Sequence, residues 1–318
     1  MKNLTISRFL QVSAVALSCA IGTSQASAET RITYKSAKSS SSYYQMAVEI
    51  AQAVKAGSDG GMIVTVEESQ GSVQNVMEAA RRDGNYVFTT PPALVGLAQD
   101  GKAMFKDKAN PKFAQIRALF PIPSLTMHFV TRADAGVQSF ADLAGKTMLV
   151  GKGSFGAKEG AKYLELFGVK DQVKLSNAGP ALKNGQIDGF VTAGSYPAPN
   201  VIEAAAGTGV HLLSMTDEQI AQTKRTRLII PAGTYTGQDS PVATTSLPVV
   251  AYTTTAMDDE TAYQLTRTYW TQRDAMAAQS AWWRGVDTAM LANIERKIHP
   301  GALRYYREIN APLTADQQ

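Results

Sequence analysis

Three glycines in the stretch KTMLVGKGSFGAKEGAKYLELFG have the spacing of a dinucleotide-binding turn. Gly151, Gly153 and Gly156 form G-x-G-x-x-G between an expected strand and an expected helix. Glycines allow the backbone to approach a phosphate there, and the free N–H groups of the helix start attract it. A nucleotide site also needs an acidic residue at the end of the next strand. That strand ends in Ser176 and Asn177, so we expect the turn to serve another anion and expect no cofactor.

Three further loops combine hydroxyl groups or glycines with a following helix. They are SSSSYY, QGSVQN and TAGSYPAPN, and each comes after an expected strand. Serine, threonine and asparagine at such positions also serve as helix N-caps, so each loop alone has a purely structural alternative. Ligands of α/β sheets bind outside the carboxyl ends of the strands. The four loops together therefore predict a cleft lined by amide and hydroxyl donors.

Residues that could support catalysis are few. No serine has an identifiable His and Asp set, and Cys19 is the only cysteine of the chain;. Lys158 and Glu159 are neighbours on an expected helix and therefore point in different directions. His128 is interpreted as a structural hydrogen-bonding residue, and the other histidines lack metal-ligand spacing. We expect a binding protein that is not an enzyme and has no catalytic or metal site.

The N-terminus has the pattern of a secretory signal peptide. Two basic residues precede an apolar stretch too short to span a bilayer, and the sequence ASA ending at Ala28 is a small-x-small cleavage site;. We therefore assign residues 1–28 to a removed signal peptide and expect a periplasmic mature protein. Lipid anchoring at Cys19 is the less favoured alternative, because its ALSC sequence begins with Ala16 where lipoproteins usually have leucine.

Size and charge further limit the class of protein and the number of its domains. The chain has 318 residues and a formal net charge of +4, which falls to +2 when Lys2 and Arg8 are removed. This charge gives no basic footprint for nucleic acid. About 290 mature residues are too many for one small core, so two domains are expected. A monomer is the default expectation.

Strand and helix patterns alternate along both halves of the mature chain. RITYKS, MIVTVEES and YVFTT are interpreted as strands followed by helices, and the pattern restarts with SFADLAGKTMLVG, QVKLS and IDGFVTAG;. The long extended segments KFAQIRALFPIPSLTMHFVTRAD and TTSLPVVAYTTT connect the two units, and the tail from residue 258 to 294 is predicted to be helical. The pattern predicts an α/β fold of two lobes, joined by two extended hinge crossings, with the ligand cleft between them.

Several segments in combination resemble the substrate-binding receptors of the TAXI type, which serve tripartite ATP-independent periplasmic (TRAP) transporters. These segments include ESQGSVQNVMEA, LKNGQIDGFVTAGSYPAPNVIEAA, IIPAGTYTGQD and HPGALRYYRE, and they cover nearly the whole mature chain in order. The resemblance implies a type II periplasmic-binding-protein fold, with residues 29–126 plus 245–318 as lobe 1 and residues 127–244 as lobe 2. It also implies capture of a small organic anion, such as glutamate, 2-oxoglutarate or a dicarboxylate, and its delivery to an ion-driven TRAP permease.

The loops and the resemblance together give one set of expected ligand-binding residues. The set is Ser41, Tyr43, Tyr44, Gly71, Ser72, Val73, Thr89, Thr90, Ser154, Phe155, Gly156, Ala157, Lys158, Ala193, Gly194, Ser195, Tyr196 and Pro197. Phe155 and Tyr196 are candidates to sandwich an apolar ligand, with lobe packing as the alternative. Lys38, Lys152 and Lys158 are the candidate cations near the anion.

The chain departs from the TAXI pattern at two loops. Residues 39–42 are serines where the family usually has glycines, and the third strand ends in TTPP (residues 89–92) where the family has a Gln-x-Asp type sequence. An acid is the natural partner of an α-amino group, so its loss favours a ligand without an ammonium group, such as a more apolar or aromatic carboxylate. A receptor for an ATP-driven importer or a sensor kinase, and an exported enzyme on this scaffold, are the alternative functions.

Overall fold

The computed structural model describes residues 29–151, 154–176 and 182–318. The described strands are β1 Thr30–Lys35, β2 Met62–Glu67, β3 Tyr86–Thr90, β4 Ile116–Arg132, β5 Thr147–Leu149, β6 Lys174–Ser176, β7 Gly189–Gly194, β8 Val210–Leu212, β9 Thr226–Ile230 and β10 Val242–Thr254. The described α-helices are α1 Ser42–Gly57, α2 Ser72–Ala79, α3 Pro92–Gln99, α4 Phe155–Leu166, α5 Pro199–Thr208, α6 Asp217–Thr223, α7 Asp259–Gln279 and α8 Pro300–Glu308. None of these helices is long and apolar enough to cross a membrane.

The strands form one mixed sheet in the order β2-β1-β3-β10-β4-β7-β5-β6. Strand β1 runs parallel to β2 and β3 on one side, and β5 runs parallel to β6 and β7 on the other. Strands β10 and β4 lie between these two groups and run antiparallel to β3, to β7 and to each other. The two parallel groups therefore correspond to the two α/β units that the sequence predicts.

The long strands β4 and β10 connect the two groups, because β10 pairs with β3, β4 pairs with β7, and they pair with each other. In β10 the residues from Val250 to Tyr252 pair with β3, while the residues from Val242 to Ser246 pair with β9. In β4 the pairing with β7 begins only at Thr126. The β4–β10 ladder has a register shift between Leu247 and Val249, and the residue skipped there is a proline, which has no N–H to donate. These two strands are the only described part of the sheet that connects the two groups.

Three tyrosine hydroxyls donate to backbone carbonyls of β4 in the part of the strand that precedes its pairing with β7. Tyr306 donates to the carbonyl of Leu119 at 2.7 Å, and Tyr269 donates to that of Pro121 at 2.7 Å. The Tyr43 hydroxyl donates to the next proline carbonyl, that of residue 123, at 3.2 Å. Burial raises the pKa of all three hydroxyls, so each remains protonated and acts as a donor;. The tyrosines thereby attach α1, α7 and α8 to the crossing strand.

Two short elements were not expected from the sequence. Helix α6 has only seven residues, too few for a periodic pattern, but its capping box of Thr216 and Gln219 was a readable start signal;. Strand β9 follows it after Thr223 and the left-handed Lys224. A further correction concerns the tail, where the α-helix ends at Gln279 and is continued by separate 3₁₀ helices.

The tyrosine contacts to β4 generate the first prediction. Tyr269→Phe should lower the free energy of unfolding by about 1–3 kcal/mol, because the buried Pro121 carbonyl loses its donor. The ring, which stacks on Phe120 with centroids 3.9 Å apart, is retained. The measurement is urea unfolding at neutral pH.

Tyr263→Phe is the matched control for this experiment. Its hydroxyl also donates one hydrogen bond, to Glu308, but at the protein surface, so the loss should stay within about 0.5 kcal/mol. Equal losses in the two variants would contradict the role of Tyr269 at the crossing strand.

Candidate functional site

A cavity of about 270 Å³ lies between the two groups of strands. Its walls come from the loop after β1, the start of α2 and the end of β3 on one side, and from the start of α4 and the end of β7 on the other. Leu125 of β4 and Val249 of β10 contribute apolar contacts from the crossing strands. The volume is near the lower end of the range for small-molecule sites, roughly 300–1,000 Å³, which suits a small ligand. We call this cavity the cleft.

The structure brings eleven of the eighteen predicted ligand-binding residues to the cleft. They are Ser41, Tyr43, Gly71, Ser72, Thr89, Ser154, Phe155, Gly156, Ala157, Ala193 and Gly194. Loops from both halves of the chain therefore meet as the strand-end argument requires.

The other seven predicted residues do not line the cleft. They are Tyr44, Val73, Thr90, Lys158, Ser195, Tyr196 and Pro197, and the last three line a separate cavity of about 360 Å³. Phe155 and Tyr196 therefore share no cavity and do not form the expected sandwich. Lys158 is exposed, and its Nζ lies 3.6 Å from Sδ of Met104. Because its side chain reaches toward Met104, this lysine is close to the cleft loop in sequence but does not line the cleft.

Sequence reasoning missed several lining residues. Ser36, Gln70 and Asn200 lie at strand ends or helix starts and follow the same rule as the residues that were chosen;. Leu125 and Val249 could not be identified in this way, because they lie inside long extended segments. Their position depends on where the two crossing strands meet.

Hydroxyl side chains cap two of the helices that begin at the cleft. Ser41 accepts a hydrogen bond from the backbone N–H of Tyr43 at 3.2 Å, and Ser154 accepts one from the N–H of Ala157 at 3.0 Å. Helix α2 differs, because its N-cap residue Gly71 has φ 109° and no side chain to cap the first turn. The first amides of α2 have no partner within the helix and are available to an acceptor.

One buried hydroxyl in the cleft has no hydrogen-bond partner. The Ser42 side chain is 2% exposed, lines the cleft, and its Oγ is without a partner in the structure. A Cβ atom added to Gly194 would lie 2.8 Å from this oxygen, so the glycine permits the close approach of β7 to α1. An unpaired buried hydroxyl is costly, and Ser42 Oγ is a donor of this kind at the cleft wall.

The described cleft wall has a basic side chain and no acidic one. Among the lining residues that the structure describes, Lys38 is the one charged side chain, and it is exposed at the rim. No carboxylate belongs to that described lining. The predicted cation Lys152 and the neighbouring Gly153 lie outside the described residues. Within the described ranges no group of three or more His, Cys, Asp or Glu side chains is arranged to hold a metal ion.

Buried polar side chains hold the cleft loops from behind. Asn75 Nδ2 donates to the carbonyls of Ser36 and Thr89 at 2.7 and 2.9 Å, which fixes the ends of β1 and β3 relative to each other. Ser69 Oγ also donates to the Ser36 carbonyl at 3.0 Å and accepts from the N–H of Gly71 at 2.9 Å. Each of these contacts connects a lining residue to a neighbouring strand end, so the wall is rigid on this side.

A second buried network involves His128 on the opposite half. Its Nε2 lies 2.8 Å from the hydroxyl of Tyr235, which accepts from the N–H of Ala198 at 2.9 Å. The tyrosine hydrogen must therefore point to Nε2, and Nδ1–H points to the carbonyl of Thr126 at 3.2 Å;. Burial lowers the pKa of His128 to about 4, so the ring is neutral;. His128 positions Ala198 of the cleft wall, which agrees with the structural role expected from the sequence.

The neutral His128 predicts a dependence of stability on pH. The unfolded chain takes up a proton at this residue below about pH 6.5, whereas the folded chain does so only near pH 4;. Stability from this residue is therefore complete above pH 6.5 and is lost as the pH falls toward 4. At pH 5 the loss should be about 2 kcal/mol relative to pH 7.

Urea unfolding at pH 7 and pH 5 checks this expectation. The His128→Gln variant removes the titrating group, so its stability should decrease by about 2 kcal/mol less than that of the wild type over this interval. An identical decrease in both proteins would show that His128 does not titrate in this way.

The contact between α4 and β7 generates a further prediction. A Cβ atom at Gly156 would lie 2.7 Å from Cβ of Ala193, so Gly156→Ala should lower the free energy of unfolding by about 1–3 kcal/mol. Ala193→Gly in the same chain should restore part of this loss. Gly207→Ala in α5 is the control, because its added Cβ meets nothing within 4 Å. Thermal or urea unfolding measures all four proteins, and a neutral Gly156→Ala would refute the close contact.

Comparison with known proteins connects this architecture to a family. Residues 35–309 match the NMT1-like family. A structure of the periplasmic binding protein BugD is similar with a TM-score of 0.52 and 11% identity, over 91% of this chain and 99% of that chain.

Two other solved structures are similar at lower TM-scores. One is a TRAP periplasmic solute-binding protein from Desulfovibrio salexigens DSM2638 in complex with diglycerolphosphate, with a TM-score of 0.48, 9% identity, and coverage of 91% of this chain and 93% of that chain. The other is an ancestral arginine-binding protein bound to arginine, with a TM-score of 0.47, 13% identity, and coverage of 81% and 99%. The strand order and the similarity to BugD confirm the expected α/β, two-lobed type II periplasmic-binding-protein fold. Since the family match extends over most of its length, the chain belongs to the NMT1-like family.

Proposed function

We propose that this chain is an extracytoplasmic solute-binding receptor that captures a small organic carboxylate in the cleft. In this proposal it delivers the ligand to a TRAP-type membrane permease, as the resemblance to TAXI receptors implies. It performs no covalent chemistry and acts as a monomer. Residues 1–28, which lie outside the described residues, would export it to the periplasm and be removed.

The donor-rich composition of the cleft is the observation that carries this proposal. Ser42, Ser72 and Ser154 present hydroxyl groups, and the uncapped start of α2 presents backbone amides. A carboxylate has only acceptors to offer, so it matches a wall of donors. The unpaired Ser42 hydroxyl is the sharpest case, because it is already buried and a ligand oxygen would complete its hydrogen bonding.

The rest of the lining favours a ligand without an ammonium group. An ammonium group needs acceptors, preferably a carboxylate, and the described lining provides no acidic side chain;. Phe155, Val150, Leu125 and Val249 instead offer apolar contacts to the ligand body. Of the ligands that the TAXI resemblance implies, dicarboxylates and 2-oxo acids therefore fit better than glutamate, and a more apolar acid fits as well.

Capture would proceed by closure of the two lobes. We divide the chain into lobe 1, residues 29–126 plus 245–318, and lobe 2, residues 127–244. The strand pairing supports this division, because β4 begins to pair with β7 at Thr126 and the β4–β10 register shifts between Leu247 and Val249. Hinge closure about a few residues that connect two domains is a common response to ligand.

A thermal-shift screen of the mature protein tests the proposal. The panel contains dicarboxylates of four to six carbons, 2-oxo acids, aromatic acids and the matching α-amino acids. An acid present at 100 times its dissociation constant should stabilise the protein by about 2.7 kcal/mol. Stabilisation by an amino acid but not by its desamino analogue would contradict the proposed ligand class.

Ser42→Ala is the variant that connects this result to the cleft. Loss of a hydrogen bond to a charged group should weaken binding of the stabilising acid about 10- to 150-fold. Ligand-free stability should not fall, because the Ser42 hydroxyl has no partner to lose. Ser240→Ala, at an exposed position, is the control and should bind like the wild type. Unchanged affinity in Ser42→Ala would place the ligand elsewhere.

A further inference from the structure

The loop between β7 and α5 forms part of the cleft wall and is held by contacts outside the cleft. Gly194 and Ala198 line the cleft, but the three residues between them line the separate cavity beside the crossing strands. Ser195 Oγ donates to the carbonyl of Ser124 at 2.8 Å and lies 3.4 Å from the Tyr43 hydroxyl. The position of this wall is therefore determined partly by groups on the far side of the loop.

Trp282 makes a further contact to this loop from outside the cleft. Its indole Nε1–H donates to the carbonyl of Pro197 at 3.1 Å. Trp282 belongs to the 3₁₀ helix Ala281–Gly285, which follows α7 and packs on α7 and β4. The adjacent Trp283 is fully buried and donates to Glu49 of α1, so this segment is anchored in lobe 1. Pro197 belongs to lobe 2, and the hydrogen bond therefore joins the two lobes.

The surroundings of Trp282 show that it lies at the edge of the interface between the lobes. On one side is a groove of about 450 Å³ formed by Gln45 and Glu49 of α1 and Ile202 of α5. On the other side is the cavity of about 360 Å³ that contains Leu228 and Met290. Both are lined by Trp282 and Pro197, so this half-buried pair lies between two cavities at the interface of the lobes.

We propose that Trp282 is a positioning residue for ligand capture, which stabilises the closed arrangement of the lobes through its hydrogen bond to the Pro197 carbonyl. This inference rests on the proposed function, because it assumes that the lobes open and close. Opening must separate Pro197 from Trp282 and expose both groups to water. A neutral hydrogen bond of this kind changes the ratio of closed to open molecules about 2- to 12-fold. Trp282 thereby affects affinity although it does not line the cleft.

A distance measurement on ligand-free protein tests this proposal. Lys106→Cys and Lys162→Cys place spin labels at exposed positions on lobe 1 and lobe 2. The only natural cysteine, Cys19, lies in the expected signal peptide, so the mature protein carries no competing thiol. Pulsed electron paramagnetic resonance then reports the distribution of distances between the lobes. Trp282→Phe, which keeps an aromatic ring but removes the N–H, should decrease the closed-to-open ratio about 2- to 12-fold.

Trp270→Phe provides the matched control. It also removes one indole hydrogen bond, from Nε1 to the Tyr306 hydroxyl at 3.0 Å, but both partners belong to lobe 1. Its distance distribution should equal that of the wild type. A shift in Trp282→Phe alone supports the proposal, whereas no shift, or equal shifts in both variants, overturns it.

A second variant distinguishes loss of a contact between the lobes from a local folding defect. Ser195→Ala removes the hydrogen bond from the Ser195 hydroxyl to the Ser124 carbonyl of lobe 1. This variant should also shift the distribution toward larger distances, with the far-ultraviolet circular dichroism unchanged. An unshifted Ser195→Ala together with a melted Trp282→Phe would also overturn the proposal. Because no ligand is present, these outcomes do not depend on the carboxylate screen. Failure of that screen would reject the ligand class, whereas failure here would reject the role of Trp282.

Discussion

The antiparallel pairing of β4 with β10 is the interaction on which the rest of the structure depends. These strands lie between the two parallel groups of the sheet, where β10 pairs with β3 of one group and β4 pairs with β7 of the other. The prolines of β4 have no N–H to donate, and tyrosine hydroxyls from α1, α7 and α8 donate to backbone carbonyls in the same part of this strand;. The same short stretch of chain thus joins the lobes, anchors three helices of lobe 1 and supplies Leu125 to the cleft.

This arrangement explains the glycine turn that resembles a dinucleotide-binding motif. Gly156 allows the first turn of α4 to pack on Ala193 of β7, and Gly71 on the opposite side takes a φ of 109° at the start of α2. Gly156 is required by the close approach of α4 and β7, and Gly71 is required by its positive φ;. The hydroxyl groups beside them provide donors, and the described lining contains no acid that would hold a ribose;. At Gly156 the motif therefore has a backbone role, which is the close packing of α4 on β7.

Much of the fold could be predicted from the sequence, because hydrophobic periodicity reports which face of each element is buried. The βα alternation gave the two units, and the rule that ligands bind at strand ends led to Ser72, Ser154 and Gly194. The same reasoning failed where position depends on contacts between distant segments. It could not show that Ser195 faces the crossing strands, or that the Lys158 side chain lies beside Met104. Contacts of this kind depend on how the lobes meet, and no local pattern encodes that.

The central claim is that the cleft selects an organic acid because its described wall offers hydrogen-bond donors and no acidic side chain. Its most direct test is to identify what the protein binds when it is exported in cells and purified without unfolding. Native mass spectrometry would give the mass of a retained ligand, and release in organic solvent would allow its structure to be determined. We predict one small molecule that has a carboxylate and no amino group, and that is lost from the Ser42→Ala protein. A retained amino acid or other cationic ligand would contradict the account.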